Sequence, residues 1–167
     1  MIARAVKMVQ RGRYVMSYGE DDDPLGGCHM DSHADTCVGG ANMVLLDGTV
    51  TRHVKVSPFS DQYEAIKGVP IGTCATAYDS PEDGLTYIFV CNETLYFGDQ
   101  LSHSLLCPNQ IRAAGNVVED TPRQFDRRSS HGIALYDSEN EEELFIKLKL
   151  DSVISLFDTR KPTKQEL

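Results

Sequence analysis

The chain has no tryptophan, no Cys-x-x-Cys pair and no internal repeat. It also lacks any apolar run approaching the roughly 20 residues that a membrane-spanning helix requires. Each absence narrows the field. No spanning helix is expected, and the opening residues MIARAVKMVQRGRY carry basic side chains without the apolar core of a secretory signal. The five cysteines, Cys28, Cys37, Cys74, Cys91 and Cys107, are odd in number and widely spaced, which argues against a disulfide framework and a zinc ribbon. Reduced thiols in a cytosolic setting are the simplest reading. Basic residues are scarce as well: 16 Lys and Arg stand against 25 Asp and Glu, a formal charge of −9 that repels a phosphate backbone. Nucleic-acid binding through a broad basic surface is therefore not expected, and Arg127-Arg128 is too short a pair to make one.

What is present suits one small domain. With 167 residues, 41% of them hydrophobic and 25% charged, the chain can bury a single modest core. Residues 1–24 pass from basic side chains to the acidic run Glu20-Asp21-Asp22-Asp23 and Pro24, and read as a flexible lead-in or linker. Within it ARAVKMV fits either a turn or two of helix or an edge strand. From Met30 onward the texture is one of short β-rich runs between turn residues. Strands are predicted near 42–46, 50–57, 68–78, 86–91, 94–97, 117–119, 132–136, 144–150 and 153–157. Asp47-Gly48, Ser80-Pro81-Glu82-Asp83-Gly84 and Asp137-Ser138-Glu139-Asn140 mark turns. The run LFIKLKL alternates, apolar at 144, 146, 148 and 150, so one side is buried and the other wet. One short helix is predicted at 108–114, with Pro108 at its first position and Gly115 as its stop. Residues 159–167 are polar and read as a tail or linker. The fold class is all-β over residues 25–158, with one short helix in the C-terminal half.

The densest run of chemistry-bearing side chains is Cys28-His29-Met30-Asp31-Ser32-His33-Ala34-Asp35-Thr36-Cys37. Extended, it places His29, Asp31, His33, Asp35 and Cys37 on one face by period two, a row of metal-ligand types. Neighbours two apart on a strand diverge along roughly 7 Å, so at most two share an ion without a second segment. His53, His103 and His131 form no His-x-His or His-x-x-x-His pair to complete a site. Folded instead as a turn at a strand end, the run presents Asp31-Ser32-x-Ala34, an aspartic-protease signature. Two such aspartates brought within a few ångströms cannot both ionise. The ionised one activates water while the protonated one polarises the scissile carbonyl. A single copy of the motif predicts a homodimer about a two-fold axis. The four letters by themselves also fit an Asx turn.

Further segments lie at telling positions: Gly72-Thr73-Cys74-Ala75-Thr76, then the 95–115 block LYFGDQLSHSLLCPNQIRAAG. Together with Asp31-Ser32-His33-Ala34-Asp35-Thr36-Cys37 they resemble the protease region of copia-type retrotransposon polyproteins. That pattern reads Asp-Ser-Gly-Ala, a later Gly-x-Gly, and a Leu-Leu-Ser-x-x-Gln-Leu run ending at Gly. The resemblance spans about residues 28–120. It implies a retropepsin-like acid-protease barrel, a homodimer, and cleavage of the element's own Gag-Pol polyprotein. Carried over, Asp31 is the catalytic carboxylate, Ser32 the hydroxyl tying the two active loops, Ala34 a small residue lining the cleft, and Asp35 an acid that binds substrate backbone. The hairpin at 56–68 is a flap over the cleft, with Phe59 and Tyr63 near its tip. Leu106, Asn109 and Arg112 support the site from the strand and helix behind it. Two departures stand out. His33 replaces the motif Gly, whose place is one of close backbone approach, and Cys107-Pro108 replaces a Gly-Arg pair, leaving Arg112 as the expected partner of Asp35.

The leading expectation is thus an aspartic endopeptidase with no cofactor and no metal. Its partners are a second copy of the chain and a polypeptide substrate, with neither nucleic acid nor membrane, and its place is the cytosol or the interior of virus-like particles. Two alternatives are a retropepsin-like domain that dimerises or binds peptide, having lost catalysis through His33, and a small metal-dependent hydrolase using His29, Asp31 and His33. Cys37, Cys74, Cys91 and Cys107, set among apolar neighbours, are expected in the core.

Overall fold

The computed structural model describes residues 6–10, 26–57, 62–137 and 142–167. The elements run β1 (Val6–Gln10), β2 (Gly27–Met30), β3 (Val38–Gly40), β4 (Val44–Leu45), β5 (Arg52–Val56), β6 (Ile66–Asp79) and β7 (Thr86–Gly98). They continue with β8 (Ser104–Leu106), α1 (Pro108–Ala113), β9 (Val117–Glu119), β10 (Gly132–Asp137), β11 (Glu142–Lys147), β12 (Lys149–Asp151) and β13 (Ile154–Asp158). The chain is all-β apart from one short helix among the described residues. No helix among them is long and apolar enough to cross a membrane.

The long antiparallel pair β6 and β7 is the spine. Its turn forms where Ser80-Pro81-Glu82-Asp83-Gly84 signals one: Ser80 N–H donates to Leu85 O at 2.8 Å, and Gly84 takes a φ of 70°. Asp83 accepts from the Leu85 amide and from the Tyr87 hydroxyl, fixing the following strand. The predicted strands 86–91 and 94–97 are one strand, irregular where the ladder loses register between Gly72 and Cys74. Likewise LFIKLKL is buried at Leu144, Ile146 and Leu148 as its alternation requires, but Leu148 leaves β11. The chain passes from the small sheet β11-β10-β9 to β12 on the large one.

The large sheet runs β12-β13-β2-β8-β3-β7-β6-β4, with β1 on β7 and β5 on β6. No ladder joins β12 to β4 among the described residues, so the expected barrel is not closed there; the path ends in strands of three and two residues. The centre of this order mixes parallel and antiparallel pairing. β2 is parallel to β8, and β3 is antiparallel to β8 and parallel to β7. β3 crosses close to the β7–β8 link: a Cβ on Gly40 would lie 2.3 Å from the His103 carbonyl oxygen, so only glycine fits.

Core side chains come from both sheets. Phe89 and Tyr78 meet Phe157 with ring centroids 6.0 and 5.9 Å away. Cys28, Cys37, Cys74, Cys91 and Cys107 are all free thiols buried in this core. Burial pushes Cys28 and Cys74 up to about 12, and a hydrogen bond with Cys37 followed by burial raises Cys91, so these sulfurs stay protonated.

At the termini one open alternative is decided and one expectation is corrected. Within the lead-in, Val6–Gln10 is an edge strand paired antiparallel with β7, and residues 11–25 lie outside the described set. Residues 159–167 pack on the fold instead of forming a tail. Arg160 pairs with Ala77 through both backbone bonds and joins its guanidinium to Asp79 and the buried Glu166. The Asn42 amide donates to the Thr159 hydroxyl at 2.6 Å. Polar groups with distant partners hold this segment, which is why it shows no apolar period.

Candidate functional site

The run around Asp31 is not extended. β2 ends at Met30, residues 31–37 form a turn and bends, and β3 begins at Val38. The one-sided ligand row of His29, Asp31, His33, Asp35 and Cys37 is therefore broken. Among the described residues no three His, Cys, Asp or Glu side chains gather to hold a metal ion.

Alternation in β2 sets what faces where. Cys28 is fully buried and Met30 packs on the core, so His29 lies on the other face, stacked on His103 with ring centroids 4.0 Å apart. Burial and the neighbouring His103 lower the His29 pKa, partly offset by Asp151. Asp31 follows where the strand stops. Its amide donates to the Leu106 carbonyl at 2.9 Å, which anchors the turn to β8. One of its carboxylate oxygens accepts the His33 amide at 2.9 Å, and its carbonyl accepts the Ala34 amide at 3.3 Å. The Asx-turn geometry and the strand-end aspartate are thus the same structure. Ala34 packs on the core, whereas Ser32, His33 and Asp35 are exposed. His33 is absent from the residues with positive φ, so its replacement of glycine brings no backbone strain here.

The turn is held from behind by a residue that the sequence reading passed over. Gln110, 2% exposed on α1, receives the Cys37 amide at 2.8 Å and the Thr36 hydroxyl at 3.2 Å on its Oε1. Its Nε2 donates to the Asn92 carbonyl at 2.7 Å. Thr36 also donates to the Glu93 carbonyl at 2.6 Å. Glu93 is a nearly buried acid inside β7, paired with Arg52 of β5 at 2.8 Å. The gap left at 92–93 between two predicted strands was the available signal for this irregularity. For Gln110 the signal was the Gln of the 95–115 block.

The remaining expected residues divide. Leu106 is fully buried, and its carbonyl accepts the Asp31 amide. The Arg112–Asp35 pair is not formed: the Arg112 guanidinium is engaged by Asp120, the Val118 carbonyl and Asn109. Arg112 and Asn109 therefore serve the α1–β9 junction, because α1 turns that face towards β9. Arg112 also lines a polar cleft of about 440 Å³ with Asp120, Asp126 and Arg128, on the β9 side of the helix. Tyr63 is exposed in the link between β5 and β6, and Phe59 lies outside the described residues.

Asp31 is one carboxylate on a turn that core packing, β8 and Gln110 hold in place, with its neighbours Ser32 and His33 open to an approaching molecule. No family model, curated protein or solved structure matches the chain.

Proposed function

We propose that this chain is one protomer of a homodimeric, retropepsin-like aspartic endopeptidase whose substrate is an unstructured stretch of a copia-type element's polyprotein. The observation that carries the reading is the setting of Asp31. It stands on a tight turn at a strand end, its amide anchored to a parallel neighbouring strand that runs directly into α1. The sequence resemblance of residues 28–120 supports the same assignment.

One such turn supplies one carboxylate, and peptide hydrolysis asks for two roles. With a second copy about a two-fold axis, two Asp31 carboxylates share a proton. The ionised member takes a proton from water, whose oxygen attacks the scissile carbonyl carbon, while the protonated member donates to the carbonyl oxygen. The C–N bond then breaks as the leaving amine takes up a proton. In this reading Ser32, exposed beside Asp31, bonds across the two-fold, and the β5–β6 hairpin covers the cleft as a flap. His33, exposed two residues on, adds a side chain beside the dyad where the motif has glycine.

The test is cleavage of unstructured peptides at mildly acidic pH, with sedimentation of the same samples. The reading expects turnover by the dimer and its loss in Asp31→Asn with dimerisation kept. Peptide binding without turnover favours a binding domain inactivated at His33, and inhibition by a chelator favours the metal-dependent alternative.

A further inference from the structure

The Asp31 turn and the β5–β6 hairpin are fastened to the same two residues. Asn92 and Glu93 sit where the β6–β7 ladder loses register, and Glu93 takes a φ of 53°, left-handed backbone that a residue with a side chain occupies only when its surroundings require it. Three elements converge there. Thr36, at the exit of the turn, donates to the Glu93 carbonyl. Gln110 of α1 donates to the Asn92 carbonyl while its Oε1 accepts from Thr36 and Cys37. Arg52 of the hairpin arm closes on the Glu93 carboxylate, which is only 7% exposed. A buried acid facing a half-exposed Arg is a poor device for stability, since a well-packed apolar residue commonly does as well or better. Strained backbone at a β-sheet irregularity is, by contrast, a recurrent way of fixing positions beside a site.

We propose that Glu93 is a positioning residue that ties the hairpin arm to the Asp31 turn, so that the two are placed together. Arg52 acts through the Glu93 carboxylate, and Gln110 completes the clamp on the turn. The inference draws its functional meaning from the endopeptidase reading, in which the hairpin covers substrate and the turn does the chemistry. The tie itself is measurable without turnover.

The reporter is the Cys37 amide, whose hydrogen bond to Gln110 closes the clamp. Among the described residues Arg52 hydrogen-bonds Thr51 and Glu93, so its removal disturbs no direct contact of residues 31–37 seen there. Amide hydrogen exchange is followed by NMR in the full chain for wild type, Arg52→Ala, Arg52→Lys and Glu93→Gln. Arg52→Ala and Glu93→Gln are expected to speed Cys37 exchange about fivefold, while the Ile133 and Ile146 amides of the small sheet stay unchanged. Arg52→Lys, which keeps the charge, returns most of the protection. An unchanged Cys37 rate overturns the proposal, and so does an equal rise at Cys37, Ile133 and Ile146, which reports only general loosening. With a cleaved peptide, Arg52→Ala is expected to raise KM and lower kcat together; a rise in KM alone contradicts the tie. Should wild type cleave nothing, the endopeptidase reading fails and the exchange rates still decide this one.

Discussion

Asp31 serves its own turn before it serves any reaction: its carboxylate accepts the His33 amide that folds residues 31–34. Asparagine keeps that acceptor and removes the charge and the transferable proton. Asp31→Asn is therefore expected to leave the thermal midpoint nearly unchanged while lowering peptide hydrolysis by at least about 10³-fold. A parallel loss of both, measured by melting and by initial rates, points to a structural role alone. The thiols make the opposite case, residues that look reactive and are not. All five cysteines are at most 3% exposed, and a thiol shut away from solvent is out of reach of an electrophile or a metal ion. A thiol-specific aromatic disulfide reagent is expected to titrate almost none of them in the native protein and five in denaturant; rapid reaction of one or more native thiols contradicts the buried cluster.

At the scale of elements, the C-terminal segment is a strap across β6 held by charge. Arg160 reaches Asp79 and Glu166 together, and Glu166 is 2% exposed. Arg160→Ala leaves that carboxylate buried without its cation and is expected to cost roughly 2–3 kcal/mol, less than a fully buried pair because the guanidinium is 27% exposed. Denaturant unfolding measures it, and a cost under about 0.5 kcal/mol, the size of an ordinary surface change, contradicts the strap. The strap was not legible in the sequence because Thr159, Arg160 and Glu166 carry no periodicity; their partners Asn42 and Asp79 come from a distant turn and from the end of β6. The spine was legible, since Ser80-Pro81-Glu82-Asp83-Gly84 separates two β-rich runs whose pairing the turn itself dictates. Strands β2, β3 and β8 are three or four residues long and pair in part in parallel across long separations, which leaves no local signal. The Asp31 turn could be read from Asp-Ser-x-Ala, whereas Glu93 and the clamp by Gln110 depend on β7 bending at a point that sequence shows only as a gap.

For the molecule as a whole, acid works in two directions. Burial lowers the His131 pKa below its ordinary 6.5, so the unfolded chain protonates first. Its contribution is fully present above pH 6.5 and drains as pH falls through the lowered folded value. Hydrogen bonding to Arg160 holds Glu166 at about 2 against an ordinary 4.5, so its contribution is present above 4.5 and is lost towards 2. The thermal midpoint is expected to fall through both windows on acidification. Glu166→Gln should start lower at neutral pH and lose less below 4.5; an identical pH profile contradicts the assignment. On the endopeptidase proposal, whose shared-proton dyad favours mild acid, activity is expected to end at low pH where the fold is lost.

The central claim is that one chain carries half a site, and mixing tests it most directly. Wild type and Asp31→Asn are combined in equal amounts at constant total protein, allowed to exchange subunits, and assayed on an unstructured peptide at mildly acidic pH. If hydrolysis needs two Asp31 carboxylates, only dimers of two wild-type chains work and the rate falls to about one quarter of that of pure wild type. A rate of about one half, as for chains that act singly, or no hydrolysis by pure wild type, contradicts it.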